Sequence, residues 1–561
     1  MNEKLQIVFG LVGGLAIFIY GMNMMSECLQ KAAGEKMKSI LALLTRNPVL
    51  GVLAGAITTA VLQSSSATTV MAIGFVSAGL MSLPQAISII FGANIGTTMT
   101  AQIIAFKITD YIYIIIFIGF IISFVAKSEK VKSIGQTIFA FGLLFLGIET
   151  MGDVMKPLAS SPVFTDLIAK VSNMPVLGVA VGTLMTLVVQ SSSATIAVLQ
   201  NFAAQAGPDG VTSILGLTGA IPILLGDNIG TTITALLASI GQNKDAKRTA
   251  VAHCIFNISG CLLFIWFIKP FAALIQYISP KGPEIEVISR QIANSHTVFN
   301  ITMTLIWVCL INVMVKIVMT LIPDGKAVAV DPAKPLYLDE KMTNQPTAAL
   351  QLVAKEILHI SDIVKDAVSN TIEIVKTEDI SQLEGLLEKG KNIKALMEKT
   401  TEYLALLFSS GTMTEQQAAQ TASLMYILSD VDRMSALCRE VCLSLKDKEE
   451  KKYKYSKDAM RDMRHSLQLI QEMFTKAVQM MATGNTEDAK DILQQKEKIL
   501  DLGIKMRKSH VERVGEGKCK AKLTEPYNRI IHHIDRMGNC CINIVDAVQG
   551  KTGQTYLETV A

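Results

Sequence analysis

Charged side chains are scarce in the first 322 residues of this 561-residue sequence, which hold 18 Lys or Arg and 13 Asp or Glu. The rest of the chain holds 34 and 35. Half of all residues are apolar, and the mean hydropathy of +0.40 is too high for an ordinary soluble protein. The scarcity of charge therefore assigns residues 1–322 to a membrane domain and leaves a charged, soluble, helical part after it.

The sequence also lacks the features of several functional classes. Its net charge of +4 provides no basic surface of the kind that binds nucleic acid. The nine cysteines are odd in number and scattered, which indicates free thiols in a reducing compartment rather than a disulfide framework. The patterns GxxxxGK[ST], HExxH, GxSxG and CxxC do not occur, so nothing supports an enzyme or a bound cofactor.

Five apolar stretches are candidates for full membrane spans, since about 20 residues cross the roughly 30 Å of hydrocarbon. They are Leu5–Met25, Tyr111–Ala126, Ile134–Gly152, Thr249–Ile268 and His296–Ile322, of which the second is short. The first has neither a basic flank nor a cleavage site, so we interpret it as a retained span rather than a signal peptide.

Other apolar stretches do not fit simple spans. Residues 48–63 and 67–81 are about 15 residues each and meet at the polar run Gln63–Ser66, which predicts a re-entrant hairpin with a polar tip. Residues 84–106 are long enough to cross, but the run GANIGTT at 92–98 predicts a broken helix. The same plan recurs with 175–190, the tip Ser191–Ser193, and 213–240 interrupted by GDNIGTT at 226–232.

These stretches form an internal repeat, residues 48–106 and 175–241, with the serine runs 127 residues apart and the GxNIGTT runs 134 apart. Ten basic residues cluster in three short loops, 31–46, 127–132 and 244–248, which the positive-inside rule places in the cytoplasm. The two copies then have opposite orientations, which is typical of secondary transporters. This topology puts the N-terminus outside and everything after Ile322 inside.

The polar runs predict a central site, because polar backbone at membrane depth must pack in protein or line a wet cavity. Free N–H groups at the helix N-termini after each tip, near Ser66 and Ser193, suit a small tetrahedral oxyanion. The candidate anion-binding residues are Ser64, Ser65, Ser66, Ser191, Ser192 and Ser193. Side-chain oxygens and freed carbonyls suit a small hard cation such as Na⁺, with the candidates Gln63, Gln190, Asn94, Thr97, Thr98, Asn228, Thr231 and Thr232.

Small and hydroxyl residues in spans more often pack helices than bind ligands, but the recurrence of both runs favours a site. Asp227 adds a carboxylate where the first copy has Ala93. Acids within the membrane are costly and usually functional, so we expect Asp227 to take part in coupling to Na⁺ or H⁺. The alternative is that Asp227 caps the half-helix that follows it.

The tandem QSSSAT runs at 63–68 and 190–195 and the two GxNIGTT runs resemble the type II sodium-phosphate cotransporters, in the bacterial form with a C-terminal PhoU-like domain. The resemblance covers nearly the whole chain. It implies sodium-driven uptake of inorganic phosphate across the cell membrane, with Gln63–Ser66 and Gln190–Ser193 around phosphate and sodium and the Asn and Thr candidates nearby. Phosphate as the anion comes from this resemblance, because the residues alone indicate only a small oxyanion.

From Pro323 onward, the sequence predicts a linker, 323–346, a helical domain, 347–550, and a tail, 551–561. Six amphipathic patterns predict two three-helix bundles at 347–376, 379–409, 414–446, 455–484, 486–514 and 523–549. Asp432-Arg433-Met434 and Asp535-Arg536-Met537 lie 103 residues apart on the third helix of each bundle, which indicates a duplication.

PhoU-like domains often carry an acidic pair four residues apart on these third helices. Here the second positions are Ala436 and Asn539, so we expect no metal beyond sodium. The predicted fold is thus all-α, with a polytopic membrane domain followed by cytoplasmic bundles. Two alternatives stay open: a phosphate-binding sensor that signals to a cytoplasmic regulatory protein without net transport, and a transporter that takes another oxyanion or uses protons.

Overall fold

The computed structural model describes residues 3–550 except 44–46, 107, 160–169, 172–173, 208, 325–330, 344, 410–412 and 451–453. The described chain is helical throughout and contains no β-strand, which confirms the all-α prediction. It divides into two compact units, Met1–Lys326 and Ala327–Ala561. The predicted tail, 551–561, lies outside the described residues.

The first unit contains thirteen described helices. They are α1 Glu3–Leu43, α2 Pro48–Leu62, α3 Ser65–Ser77, α4 Leu83–Ile104, α5 Ile112–Val125, α6 Glu129–Ala159, α7 Pro175–Val189, α8 Ser192–Ala203, α9 Gly216–Ser239, α10 Lys244–Phe264, α11 Ile268–Ile278, α12 Glu284–Cys309 and α13 Ile311–Leu321. Within the described chain, five helical segments are long and apolar enough to span a membrane. A sixth span results if α12 and α13 are counted as one.

Two of the predicted spans differ from the structure. The stretch Tyr111–Ala126 forms a helix of only 14 residues, α5. The stretch His296–Ile322 is not one straight helix, because α12 and α13 meet at an 81° bend at Leu310. The sequence did not predict this bend, because the hydropathy of a stretch does not indicate the direction of its helices.

Each predicted hairpin consists of two short helices joined by two residues. Helix α2 begins at Pro48, with the Asn47 side chain accepting a hydrogen bond from Leu50 N at 2.9 Å, and ends at Leu62. Helix α3 then begins at Ser65. Helices α7 and α8 repeat this arrangement on either side of Gln190 and Ser191. The chain therefore reverses over a tight polar turn in both copies.

The predicted breaks in the two long helices are wrong. Helix α4 continues through residues 92–98, and α9 continues through 226–232. The glycines in these runs allow close packing instead of breaking the helix. A Cβ atom on Gly92 would lie 2.0 Å from the carbonyl oxygen of Val52, and one on Gly226 would lie 2.0 Å from that of Val179. Small residues let neighbouring helix backbones approach this closely.

The contacts between helices are the same in the two copies of the sequence repeat. Helix α2 packs on α4, and α7 packs on α9. Across the copies, α3 packs on α9 and α8 packs on α4. Helix α10 contacts α3, α4 and α9, whereas α12 contacts α8, α9 and α4. The duplication therefore extends to α10 and α12, while the opposite orientation of the copies in a membrane stays a prediction.

The second unit contains six long helices, as predicted. They are α14 Pro346–Thr377, α15 Leu383–Ser409, α16 Glu415–Glu450, α17 Lys457–Thr483, α18 Ala489–Gly515 and α19 Thr524–Val548. The third helices of the two bundles, α16 and α19, pack on each other, and so do the first helices, α14 and α17. The two bundles thus share one core.

Part of the predicted linker belongs to this second unit. The buried carboxylate of Glu356 accepts hydrogen bonds from Leu336 N at 2.9 Å and from Tyr337 N at 2.8 Å. The Tyr403 hydroxyl donates to the Asp339 carbonyl at 2.9 Å. These bonds fix residues 331–343 against the helices that follow.

None of the nine cysteines, all of which lie among the described residues, forms a disulfide, and the five in the second unit are buried. Burial raises the pKa of Cys438 and Cys540 to about 12 and that of Cys442 to about 11. A thiol with such a pKa is almost entirely protonated near neutral pH, and the thiolate is the reactive form. These cysteines therefore serve as small apolar core residues.

Substitution of Gly92 or Gly226 by Ala should destabilise the first unit, because the new methyl group meets a backbone carbonyl that cannot move alone. We expect a loss of about 1–3 kcal/mol in stability, as for other overpacked cores. Gly13→Ala is the matched control, since no atom lies within 4 Å of a Cβ atom there. Thermal unfolding of the purified protein in detergent measures the difference, and equal melting temperatures for all three variants would contradict this packing.

Alkylation should distinguish buried from exposed thiols. At pH 8, a thiol with a pKa near 12 holds roughly a thousandfold less thiolate than an ordinary cysteine. We therefore expect Cys438, Cys442 and Cys540 to react with iodoacetamide only after denaturation, as read by mass spectrometry of peptides from the full chain. Rapid labelling of these cysteines in the native protein would show that the second unit opens readily.

Candidate substrate and ion site

The two serine runs cap helices. Ser64 Oγ accepts a hydrogen bond from Ala67 N at 3.2 Å, and Ser191 Oγ accepts one from Ala194 N at 3.3 Å. Helices α3 and α8 therefore begin at Ser65 and Ser192, one residue earlier than predicted. A hydroxyl that accepts from the backbone keeps its own proton. Both caps can thus still donate to an anion held at the helix N-terminus.

The glutamine that precedes each run adopts a left-handed backbone conformation, with φ of 51° at Gln63 and 55° at Gln190. This conformation costs a residue other than glycine about 1–2 kcal/mol, so the surrounding fold must enforce it. Gln63 is tied in place, since its side chain donates to the Ala60 carbonyl and accepts from Thr100 Oγ1 at 3.0 Å. Gln190 is exposed. The two glutamines are therefore equivalent in backbone but not in surroundings.

Threonine pairs join the two helices of each hairpin. Thr59 Oγ1 lies 2.9 Å from Thr68 Oγ1, and Thr186 Oγ1 lies 3.1 Å from Thr195 Oγ1. In the second copy, Thr186 Oγ1 also donates to Asp227 Oδ1 at 2.6 Å. This contact brings the carboxylate against the hairpin and gives the second copy a polar cluster that the first, with Ala93, lacks.

The alternative that Asp227 caps a helix is wrong, because α9 begins at Gly216 and runs through Asp227 without a break. Asp227 is fully buried, and its Oδ2 atom has no hydrogen-bond partner among the described residues. A buried carboxylate with an unpaired oxygen is strongly unfavourable unless a cation or a proton neutralises it. Asp227 therefore needs a cation or a proton to neutralise it.

The predicted threonines of the GxNIGTT runs are buried on α4 and α9. Thr98 Oγ1 donates to the Ile95 carbonyl at 2.7 Å, Thr232 Oγ1 to the Ile229 carbonyl at 2.8 Å, and Thr231 Oγ1 to the Asp227 carbonyl at 2.9 Å. Thr97 is buried as well. Since both helices are continuous, the freed backbone carbonyls expected here are absent from this part of the described chain. Any cation bound at these runs must use side-chain oxygens.

Two histidines that were not among the predicted site residues contact the predicted asparagines. His253 Nε2 lies 3.2 Å from Asn94 Oδ1, and His296 Nε2 lies 3.1 Å from Asn228 Oδ1. Both histidines and both asparagines are buried. The signal was present in the sequence, because HCIFN at 253–257 and HTVFN at 296–300 share the pattern HxxFN.

The structure therefore groups most predicted residues around α4 and α9. Each long helix contacts the hairpin of its own copy and the serine-capped helix of the other copy. None of the site residues named above is a Lys or Arg, so an anion here would be bound by hydroxyl, amide and backbone donors.

Several acidic residues of the second unit form ion pairs. Asp535 pairs with Lys496, Asp362 with Lys365 at 2.9 Å, and Asp458 with Arg461 at 3.1 Å. Burial raises the pKa of Asp432, the equivalent of Asp535 in the first bundle. Over the described ranges, no three His, Cys, Asp or Glu side chains group closely enough to hold a metal ion.

Comparison with known proteins matches each unit to a family. Residues 17–153 and 150–279 match the Na⁺/Pi-cotransporter family model, and residues 463–548 match the PhoU domain model. The PhoU regulatory protein of Streptococcus pneumoniae aligns by structure with a TM-score of 0.34 and 17% identity, covering 37% of this chain and 98% of that one.

Curated relatives cover different parts of the chain. The uncharacterized protein YqeW of Bacillus subtilis is 33% identical over 266 residues, 47% of this chain and 84% of its own. The putative inorganic phosphate export protein YjbB of Salmonella typhimurium is 22% identical over 505 residues, 90% of each chain. The sodium-dependent phosphate transport protein 2A of Rattus norvegicus is 37% identical over 108 residues, 19% of this chain and 17% of its own.

Asp227→Asn should weaken the effect of sodium on stability, because it keeps the side-chain shape but removes the charge that a bound cation would neutralise. A ligand that binds only the folded state raises its melting temperature as concentration increases. We expect added NaCl, compared with choline chloride, to stabilise the parent protein more than this variant.

Asp209→Asn is the control, since the exposed Asp209 carboxylate undergoes the same charge change in a loop where it accepts from Val211 N and Thr212 N. Identical sodium responses in the parent and in Asp227→Asn would remove Asp227 from the cation site.

Proposed function

Because this chain belongs to the Na⁺/Pi-cotransporter family and carries a PhoU domain, we propose that it is a sodium-coupled secondary transporter of inorganic phosphate. It is a multi-pass membrane protein. The observation that carries the proposal is the duplicated hairpin whose tip serines cap a helix and still have protons to donate. Two such helix ends, each packed on the long polar helix of the other copy, suit a doubly or singly charged tetrahedral anion.

Neutral donors support transport rather than permanent binding. A hydrogen bond between neutral groups contributes only about 0.5–1.5 kcal/mol net, and one to a charged group about 1.5–3 kcal/mol. Several such bonds bind phosphate without the strong desolvated ion pair that an Arg would form. Release on the far side of the membrane then costs little, as alternating access requires.

Sodium as the coupling ion is supported by Asp227. Its unpaired Oδ2 and the hydroxyl of Thr186 provide oxygen ligands in a buried place, which suits a hard cation. A bound Na⁺ there also offsets part of the charge that phosphate brings into a medium of low dielectric constant. We propose no cofactor beyond this ion.

The direction of transport follows from the coupling. Cells keep sodium low inside, so a carrier that moves Na⁺ and phosphate together imports phosphate. The relatives that match 90% of this chain carry the name of putative phosphate export proteins, which favours export as a second candidate. Export by the same symport would carry Na⁺ out of the cell against its gradient, so an exporter must move phosphate without co-transported Na⁺, and the two candidates differ in sodium dependence.

The second unit fits a regulatory role. We propose that it lies in the cytoplasm, with the N-terminus of the chain outside, since the basic segments 31–46, 127–132 and 244–248 fall on one side of the predicted topology. The structure places most of their residues in helices α1, α6 and α10 rather than in the predicted loops. A cytoplasmic regulatory protein is the proposed partner of its helices. The buried thiols of this unit are compatible with a reducing compartment.

Vesicles containing the purified full chain test the function. Labelled phosphate should accumulate when Na⁺ is present outside only, and should not accumulate with K⁺ or with a proton gradient alone. If preloaded phosphate leaves the vesicles at the same rate with and without an inward Na⁺ gradient, the result would favour the export candidate. Binding without movement in either direction would favour a sensor, and competition by sulfate or arsenate would identify another oxyanion.

Ser65→Ala and Ser192→Ala should reduce this uptake strongly, because each removes one buried hydroxyl beside the proposed anion position. Loss of a hydrogen bond to a charged group predicts a drop of about tenfold or more in uptake at limiting phosphate. Ser123→Ala is the control, since that exposed hydroxyl donates only to the Phe120 carbonyl of its own helix. Parent-like uptake in both site variants would place the substrate elsewhere.

A further inference from the structure

The pattern HxxFN occurs twice and is separate from the repeated serine and GxNIGTT runs. It begins at His253 on α10 and again at His296 on α12, 43 residues later. Each histidine is 1% exposed and contacts an asparagine of a GxNIGTT run on a long helix, His253 with Asn94 and His296 with Asn228. Two separate chain segments therefore place the same pair of side chains in both copies.

The residues of the HxxFN pattern have the same spacing as the residues that they contact on the long helix. In the first copy, Phe256 stacks on Phe91 with ring centroids 4.9 Å apart, and His253 contacts Asn94. The residues of each pair are three apart on both helices, so they lie on one face of each. The aromatic contact therefore fixes the register that brings the imidazole to the amide.

The orientation of each amide, with Oδ1 toward the imidazole, determines the histidine tautomer. An amide oxygen only accepts, so the imidazole Nε2 must carry the proton and donate it to Asn94 Oδ1 or Asn228 Oδ1. The amide oxygen then faces the histidine, and the NH₂ group faces away from it. Both of these NH₂ nitrogens, Asn94 Nδ2 and Asn228 Nδ2, are buried and without a partner within the described chain.

A buried NH₂ group without an acceptor is unfavourable by about 1–3 kcal/mol. A ligand that pairs with such a group has to offer an acceptor atom, which an oxyanion does and a sodium ion does not. This orientation is the opposite of the one that sodium ligation by these asparagines requires, because their oxygens already accept from the histidines.

We propose that His253 and His296 are positioning residues that turn the NH₂ groups of Asn94 and Asn228 toward the transported oxyanion. The two asparagines then bind the anion, and sodium is left to Asp227 and its neighbours. This inference rests on the proposed function and deepens it, since it assigns two predicted sodium ligands to phosphate instead. Each copy of the internal repeat contributes one of these asparagines, so the anion receives an amide donor from each.

Asn94→Asp and Asn228→Asp distinguish the two roles, because aspartate offers oxygens and no donor. If the asparagines donate to the anion, each variant raises the half-saturating phosphate concentration by about tenfold or more and changes the half-saturating sodium concentration by less than about twofold. If the asparagines were sodium ligands with reversed amides, the sodium curve would move and the phosphate curve would stay, which would overturn the proposal.

The histidines are tested by a pair of substitutions at each position. His253→Gln keeps an N–H donor at a comparable distance from the backbone, whereas His253→Leu removes the donor and keeps an apolar side chain. We expect the Leu variant to show the same phosphate-specific shift as Asn94→Asp, and the Gln variant to restore affinity to within about threefold of the parent. His296→Gln and His296→Leu should repeat this result at Asn228.

The controls separate this inference from the proposed function. Parent vesicles must first show sodium-dependent phosphate uptake, and failure there overturns the function itself. With uptake present, unchanged phosphate curves in folded His253→Leu and His296→Leu overturn only the positioning role. Should a Leu variant not fold, as judged by its elution as a single species, phosphate-dependent thermal stabilisation of the matching Asn→Asp variant decides the question: lost stabilisation supports the proposal and full stabilisation overturns it.

Discussion

The fold of the first unit depends on the close approach of each hairpin to the glycine face of a long helix. Gly92 and Gly226 lie so near the backbone of the neighbouring helix that a methyl group at either position would overlap a carbonyl oxygen. This approach keeps the polar hairpin tip within reach of the polar side of α4 or α9. The bond from Thr186 to Asp227 and the bond from Thr100 to Gln63 both span this junction.

The same constraint explains how polar groups persist in so apolar a unit. Backbone groups at the tips are satisfied by the caps at Ser64 and Ser191, and the continuous helices satisfy their own carbonyls. What remains unpaired is a small set of side-chain atoms, among them Asp227 Oδ2 and the amide nitrogens of Asn94 and Asn228. Unpaired buried atoms are costly, so their presence on and beside these two helices, among the described residues, supports the proposed ligand site there.

The second unit is built from amphipathic helices around an apolar core, unlike the first. Its helices are amphipathic and charged outside, and its core contains thiols and aliphatic side chains. The acids that might have suggested metal chemistry, such as Asp535, are paired with lysine on a neighbouring helix. Both units contain a duplication, but the second unit repeats a whole helical bundle, whereas the first repeats a hairpin with a polar turn.

The sequence by itself determined the division of the chain, the hairpins with their tips, and the six helices of the second unit, because charge density and hydrophobic period are local properties. Only the tertiary structure decided that the GxNIGTT runs are continuous helices, since glycine signals a break or a close approach equally well until the neighbour is known. It also decided that Asp227 is no cap and that His253 and His296 bond to Asn94 and Asn228. Those contacts join residues 68 and 159 positions apart, and no local pattern specifies which distant side chains will meet.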